Sequence, residues 1–233
     1  MTDIPILDGP RLNPKSDAVP KNLVILLHGY GADGDDLIAL ANYWQRDFPK
    51  TAFVAPHAPE PCELSPFGRQ WFSLEKYDPD LQRRDPKAAA TAFEQMIGGA
   101  AKASLAVNQF LKAELERWNL SLKDVAFVGF SQGTMLSLYT GLREPEAPAG
   151  ILGYSGALIG AASLSDDIKC HPPVCLVHGE NDEMVPFAAL AHAEHALKNA
   201  GISISTFPRP GLGHGIDEKG LEIGGQFLKS IHI

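Results

Sequence analysis

The sequence predicts an α/β fold: one mainly parallel, twisted sheet with helices on both faces. Three observations predict it. Short apolar runs recur along the chain, and four of them are apolar throughout instead of alternating, the pattern of strands buried on both faces. Helix-like stretches separate these runs, and strands joined by helical crossovers build a parallel sheet. The 233 residues, 45% hydrophobic and 21% charged, supply one sizeable core, and no internal repeat or low-complexity tract divides them. Residues 1–233 are therefore expected to form a single domain.

The elements follow in order. "NLVILLH" (22–28) is a continuous apolar run that ends in the glycine-rich "GYGADG". "DDLIALANYWQRDF" (35–48) places Leu37, Leu40, Ala41 and Trp44 on one stripe of a helix. "TAFVA" (51–55) is the second strand. A long alanine-rich helix is expected over 86–118, opening on a tolerated proline and broken or kinked at Gly98 and Gly99. Strands at 125–130, 150–155, 174–179 and 202–207 alternate with helices at 131–144, 186–201 and 220–231, and Gly201 is a good helix stop. The stretch 56–85 fits neither element. It is proline-rich and carries apolar residues, and a loop that long is uncommon unless functional. It reads as an excursion over the active edge of the sheet.

Composition removes several function classes. A net charge of −8 argues against nucleic acid as a partner, because phosphate binding needs a basic face. The start "MTDIPILDGPRLNP" lacks a basic segment followed by an apolar one, and no window of about 18 apolar residues suggests a membrane span. Cys62, Cys170 and Cys175 form no Cys-x-x-Cys pair, so neither a zinc site nor a disulfide framework is suggested. Together these predict a cytoplasmic protein.

The chemistry begins at "GFSQG" (129–133), a Gly-x-Ser-x-Gly pattern between a buried strand and a helix. Such a turn strains the serine and projects its hydroxyl at the carboxyl edge of the sheet, where open α/β sheets bind ligands. Ser131 is the candidate nucleophile, against the plain reading of a serine starting a helix. Gln132 would offer its backbone N–H at the helix N-terminus. Tyr30, in the glycine turn after the first strand, would offer a second. That turn lacks both Gly-Lys-Ser/Thr and Gly-x-Gly-x-x-Gly, which disfavours nucleotide binding. "VCLVHGENDEMVP" supplies an acid after a strand: Asp182, with Glu180 as a substitute. "GLGHGID" places His214, the base, between glycines after the last strand. His178 precedes the acid and is not assigned as the base. His192 and His195 lie three apart in a helix without a third ligand, so no metal is expected.

With those residues in place, the chain resembles the phospholipase/carboxylesterase family of α/β-hydrolases, which includes the acyl-protein thioesterases. The carriers are "LLHGYGADGDDL", "PHAP", "RQWFSL", "GFSQGTMLSL", "HGENDEMVP" and "GLGHGIDEKGL", and the likeness spans roughly residues 20 to 230. The "GLGHGID" form resembles bacterial carboxylesterase-type members. The resemblance implies a single-domain α/β-hydrolase fold, Ser131, Asp182 and His214 as a triad, and Tyr30 and Gln132 as backbone donors to an oxyanion. It implies that "RQWF", with Trp71, lines the acyl pocket. Leu64, Phe67, Trp71 and Phe72 of the excursion are expected to line an apolar groove for a short or medium acyl chain. The resemblance implies no cofactor and no metal, a small-molecule ester or thioester substrate, and a homodimer as one available assembly.

The expected function is a serine carboxylesterase that forms an acyl-enzyme. Thioesterase or lysophospholipase action on the same triad stays open, since each substrate presents the same carbonyl. A dienelactone hydrolase would carry cysteine at the elbow, and a non-catalytic relative would lack a triad member. The family often has Gly-Gly after the glutamine, where this chain has Gly133 and Thr134. Glu180 and Glu183 also stand where smaller or apolar residues are common.

Overall fold

A computed structural model describes residues 4–15, 19–75 and 77–233. The chain runs β1 (Arg11–Leu12), β2 (Asn22–Leu27), α1 (Gly34–Trp44), β3 (Thr51–Val54), β4 (Glu60–Pro61), β5 (Arg69–Gln70), α2 (Pro79–Arg84), α3 (Pro86–Gln95), α4 (Ile97–Trp118), β6 (Val125–Phe130), α5 (Gln132–Gly141), β7 (Gly150–Tyr154), α6 (Leu164–Asp167), β8 (Val174–Gly179), α7 (Ala188–Asn199), β9 (Ile204–Arg209) and α8 (Glu218–Ser230). Seven strands make the central sheet in the order β1-β3-β2-β6-β7-β8-β9. Every pairing in it is parallel except β1 with β3. This is the α/β-hydrolase fold the motifs imply, in one domain.

Strand alternation splits the core in two. Leu23, Ile25 and Leu27 of β2, with Val125 and Phe127 of β6, face a core shared with α3, α4, α5 and α7. Val24, Leu26, Ala126 and Val128 point the other way, into a core with α1 and α8. Burying such side chains contributes roughly 1.5–3 kcal/mol each, which is why continuous apolar strands sit at the centre of the sheet. β9 is an edge strand with only partial burial.

Several boundaries differ from the sequence expectation. β1 adds an antiparallel edge that its two residues could not announce. α1 starts at Gly34, capped by the Asp33 side chain on the N–H groups of Asp35 and Asp36, and ends at Trp44 rather than 48. The helical stretch 86–118 is two helices that part at Met96, not at the glycines. Gly99 serves close packing instead: a Cβ there would lie 2.6 Å from the Cβ of Phe72. The excursion 56–85 is not structureless. It holds the β4–β5 hairpin and α2, which Asp78 caps through the N–H groups of Asp80 and Leu81.

Candidate active site

The strand-to-helix turn at Ser131 is tight. Ser131 has φ 53° and ψ −116°, a conformation that strains any residue with a side chain, by roughly 1–3 kcal/mol. Its N–H donates to the Tyr154 carbonyl at 2.9 Å. Side chains at Gly129 or Gly133 would overlap backbone, at Gly133 the Leu27 carbonyl, so strand, helix and β2 touch along their main chains. Thr134, where the family often carries glycine, is buried. Its hydroxyl donates to Tyr154 O at 2.8 Å and accepts from Tyr154 N–H at 3.0 Å. Its methyl fills space left by Gly153 and Gly156. The departure thus ties α5 to β7.

The loop after β2 lies against this turn. A Cβ on Gly29 would fall 3.3 Å from that of Ser131. Gly31 N–H donates to Arg69 O and Arg69 N–H to Ala32 O, both at 2.9 Å, so the excursion clamps the loop on either side. Tyr30 sends its hydroxyl to Glu63 at 3.1 Å. Among the described residues no backbone carbonyl accepts the Tyr30 N–H, and the Gln132 N–H, first in its helix, has no partner within that helix. His28 is buried, accepts the Ala58 N–H on Nε2 at 3.0 Å and donates from Nδ1 to Gly29 O at 2.8 Å. Burial pushes its pKa down to about 4. The Trp71 indole covers it, with ring centroids 5.2 Å apart, and donates to His28 O at 2.9 Å.

The side chain of Gln132 was invisible to sequence reasoning. It is fully buried, accepts the Trp71 N–H at 2.9 Å and donates to Phe72 O at 2.8 Å. Both ends of the amide are satisfied by the excursion backbone. Glutamine in "GFSQG" gave no signal of that, since its partner lies about sixty residues away.

The acid and base meet on the loops after β8 and β9. Asp182 is buried. Its Oδ1 accepts the N–H groups of Met184 (2.9 Å) and Val185 (2.8 Å). His214 Nδ1 lies 2.8 Å from Oδ2 and 3.0 Å from Oδ1. Burial alone would raise the Asp182 pKa, but hydrogen bonds from His178 and His214 outweigh it and hold the carboxyl well below the usual range. Glu180 and Glu183 are exposed, so the acid beside His214 is Asp182. The two loops are joined through Glu180 N–H to Arg209 O (3.0 Å) and Asn181 N–H to Leu212 O (2.9 Å). Arg209 and Asp217 pair at 2.9 Å and close the His214 loop at its base; opposite charges bracketing the glycine loop were the available signal. The His214 ring tilts against Phe130, the residue before Ser131, at 5.0 Å between centroids.

The four expected pocket residues part company. Phe72 borders a cavity of about 240 Å³ with Leu74, Tyr77, Ala92, Met96 and Gly99. Trp71 is buried on His28 and does not border it. Leu64 and Phe67 are 85% and 93% exposed and do not border the Phe72 cavity; Phe67 borders a separate cavity near Pro5 and His57. The reason is local: residues 62–68 close on themselves through Cys62 N–H to Gly68 O and Gly68 N–H to Ser65 O.

Asp33, Asp35 and His57 bring one ligand atom each within 4.8 Å of one another. Asp33 is already the cap of α1, and His57 Nδ1 accepts the Gly34 N–H. His195 pairs instead with Asn199, at 2.9 Å. Among the described residues no helix is long and apolar enough to cross a membrane.

The sequence profile of the phospholipase/carboxylesterase family matches residues 12–232. The crystal structure of the esterase PE8 superposes with a TM-score of 0.87 at 39% identity, covering 97% of this chain and 99% of that one. Esterase YpfH of Escherichia coli is 25% identical over 213 residues, 91% of this chain and 84% of the relative. Acyl-protein thioesterase 1 of Aspergillus fumigatus is 29% identical over 223 residues, 89% and 87% of the two chains.

Proposed function

Because the chain belongs to the phospholipase/carboxylesterase family and is a carboxylic ester hydrolase, we propose that it is a serine esterase that cleaves short- to medium-chain acyl esters through an acyl-enzyme on Ser131. The observation that carries this reading is the contact of His214 Nδ1 with both Asp182 oxygens, at 2.8 and 3.0 Å. An ionised carboxylate only accepts, so Nδ1 must carry the proton. Nε2 is then left with a lone pair, as a general base requires.

In this mechanism His214 takes the Ser131 proton as the hydroxyl attacks the ester carbonyl. The oxyanion is held by the N–H groups of Tyr30 and Gln132, each such donor typically contributing about 2.7–4 kcal/mol. His214 then protonates the leaving alcohol, and a water activated by the same imidazole releases the acid. The acyl chain is placed in the cavity beside Phe72 and Met96, whose backbone neighbour Gln132 adjoins the nucleophile. A cavity of this size, apolar at Phe72, Leu74, Ala92 and Met96 and polar at Ser73, Glu75 and Gln95, suits a modest chain. A thioester substrate is the second reading, favoured by the likeness to acyl-protein thioesterases.

The test is hydrolysis of p-nitrophenyl esters from acetate to palmitate, with Ser131→Ala as control. Rates that peak at short or medium chains and vanish in the variant support the proposal. A peak at palmitate favours the lipid or thioester reading. No activity above the variant overturns it for these esters. Gly99→Ala, which adds a methyl group 2.6 Å from Phe72 Cβ, is expected to slow the longer esters more than acetate.

A further inference from the structure

We propose that His178 is a positioning residue for the acid, meeting the same Asp182 oxygen that His214 meets. The proposal rests on the esterase reading for its kinetic expression. His178 stands near the end of β8, is 2% exposed, and lies four residues before Asp182. Its Nε2 is 3.3 Å from Asp182 Oδ2 and 3.0 Å from Val185 O. Both neighbours are acceptors, so Nε2 carries a proton, which it donates to the Val185 carbonyl while the Asp182 carboxylate lies in charge contact beside it. Edge contact with the Phe187 ring, at 6.1 Å between centroids, fixes the imidazole plane.

The carboxylate is thereby held at both ends. Oδ1 takes two backbone N–H groups from its own loop. Oδ2 takes His214 at 2.8 Å and lies 3.3 Å from His178 Nε2. Without His178 the one side-chain partner of Asp182 among the described residues would be His214, which is partly exposed on a glycine-flanked loop and is the group the acid has to orient. A buried charge gains from every donor, and one that loses a donor rotates to find another. The strand therefore fixes the acid, and the acid fixes the base. His178 touches no reacting atom.

The titratable groups facing Asp182 are His214 from the β9–α8 loop, His178 from β8 and Tyr77 from the excursion. The Tyr77 hydroxyl donates to Met184 O at 2.8 Å. Arg83 donates to Glu183 O at 3.0 Å, and the Glu183 side chain is exposed.

The experiment compares His178→Gln, whose amide nitrogen falls near the original Nε2, with His178→Leu, which removes the donor. Thermal melts establish folding. With a p-nitrophenyl ester, His178→Leu is expected to lose roughly tenfold in kcat with KM changed less than about twofold. The acid limb of the kcat/KM profile should move to higher pH, because a carboxylate no longer shared with His178 binds the His214 imidazolium more strongly. His178→Gln should return both toward wild type. A folded leucine variant with unchanged kcat and limb overturns the proposal. So does a kcat loss with an unmoved limb that glutamine fails to restore. If the leucine variant does not fold, His178→Asn, whose amide stops short of Asp182, replaces it with the same expectations. If wild-type protein hydrolyses no ester, the esterase reading has failed, and the contact is read by NMR. The downfield Nδ1 proton of His214 should then shift in the variant, and an unshifted resonance overturns the proposal.

Discussion

Two stretches of the same excursion, a few residues apart, behave in opposite ways. Arg69 to Phe72 runs under the site. Its backbone clamps the loop carrying Tyr30, its tryptophan covers His28, and Gln132 bonds it to the nucleophile turn. Residues 63–67 project from the molecule, with Leu64 and Phe67 almost fully exposed. Both are comparably apolar. What separates them is where their main-chain groups find partners: the first stretch bonds to three other elements, the second mainly to itself. Side-chain hydrophobicity did not predict burial here; backbone satisfaction did.

The contrast can be broken most forcefully at Trp71. Trp71→Ala removes a side chain 2% exposed and leaves the His28 carbonyl without its indole donor. A loss of about 3–5 kcal/mol is expected in denaturant titration, with the ester chain-length profile of any remaining activity unchanged in shape.

Acid should weaken the same stretch through His28. In the unfolded chain its imidazole takes a proton near pH 6.5, while in the folded protein it refuses one until about pH 4. The unfolded state therefore binds more protons between those values, and stability falls as pH drops through that window, by about 3 kcal/mol in all. Stability above pH 6.5 owes nothing further to this group. Urea midpoints measured from pH 7 to pH 4 check it, and a flat curve would sink it. The Asp182 carboxyl, lowered in the fold, adds its own loss only at more acidic pH.

Gln132→Leu sharpens the comparison from the turn side. It orphans the Trp71 N–H and the Phe72 carbonyl, costing about 1–3 kcal/mol for each buried group left unpaired, and activity should fall although the backbone N–H of residue 132 survives. The exposed stretch marks the other extreme. Leu64→Ser with Phe67→Ser is expected to leave stability within about 0.5 kcal/mol and short-ester activity unchanged. A drop of several degrees in Tm would mean that the two stretches are not as different as their contacts imply.

The same contrast shows what was legible in the sequence. The parallel sheet was readable because β2, β6, β7 and β8 are buried on both faces and therefore apolar without alternation. The Gly-x-Ser-x-Gly turn was readable because close backbone approach leaves glycine no substitute. The pairing of His214 with Asp182 was expected from chain order, and those two side chains do meet. The break at Met96 was not readable, since the glycines after it looked the better breakers while Gly99 was reserved for Phe72. The buried amide of Gln132, the second histidine on Asp182 and the Arg209–Asp217 closure depend on partners distant in sequence or on loop shape, which periodicity does not carry.

The self-closed turn at 62–68 has a practical corollary. Its ends are pinned by the β4–β5 pairing of Glu60 with Gln70 and Pro61 with Arg69, so the exposed Leu64 and Phe67 can be exchanged without moving the anchor beneath, while Glu63, which takes the Tyr30 hydroxyl, and Gly68, packed on Gly31, have to stay. The chain thus offers a point of surface substitution beside a catalytic fold, while the parts that must stay in register are bolted on the far side of the hairpin.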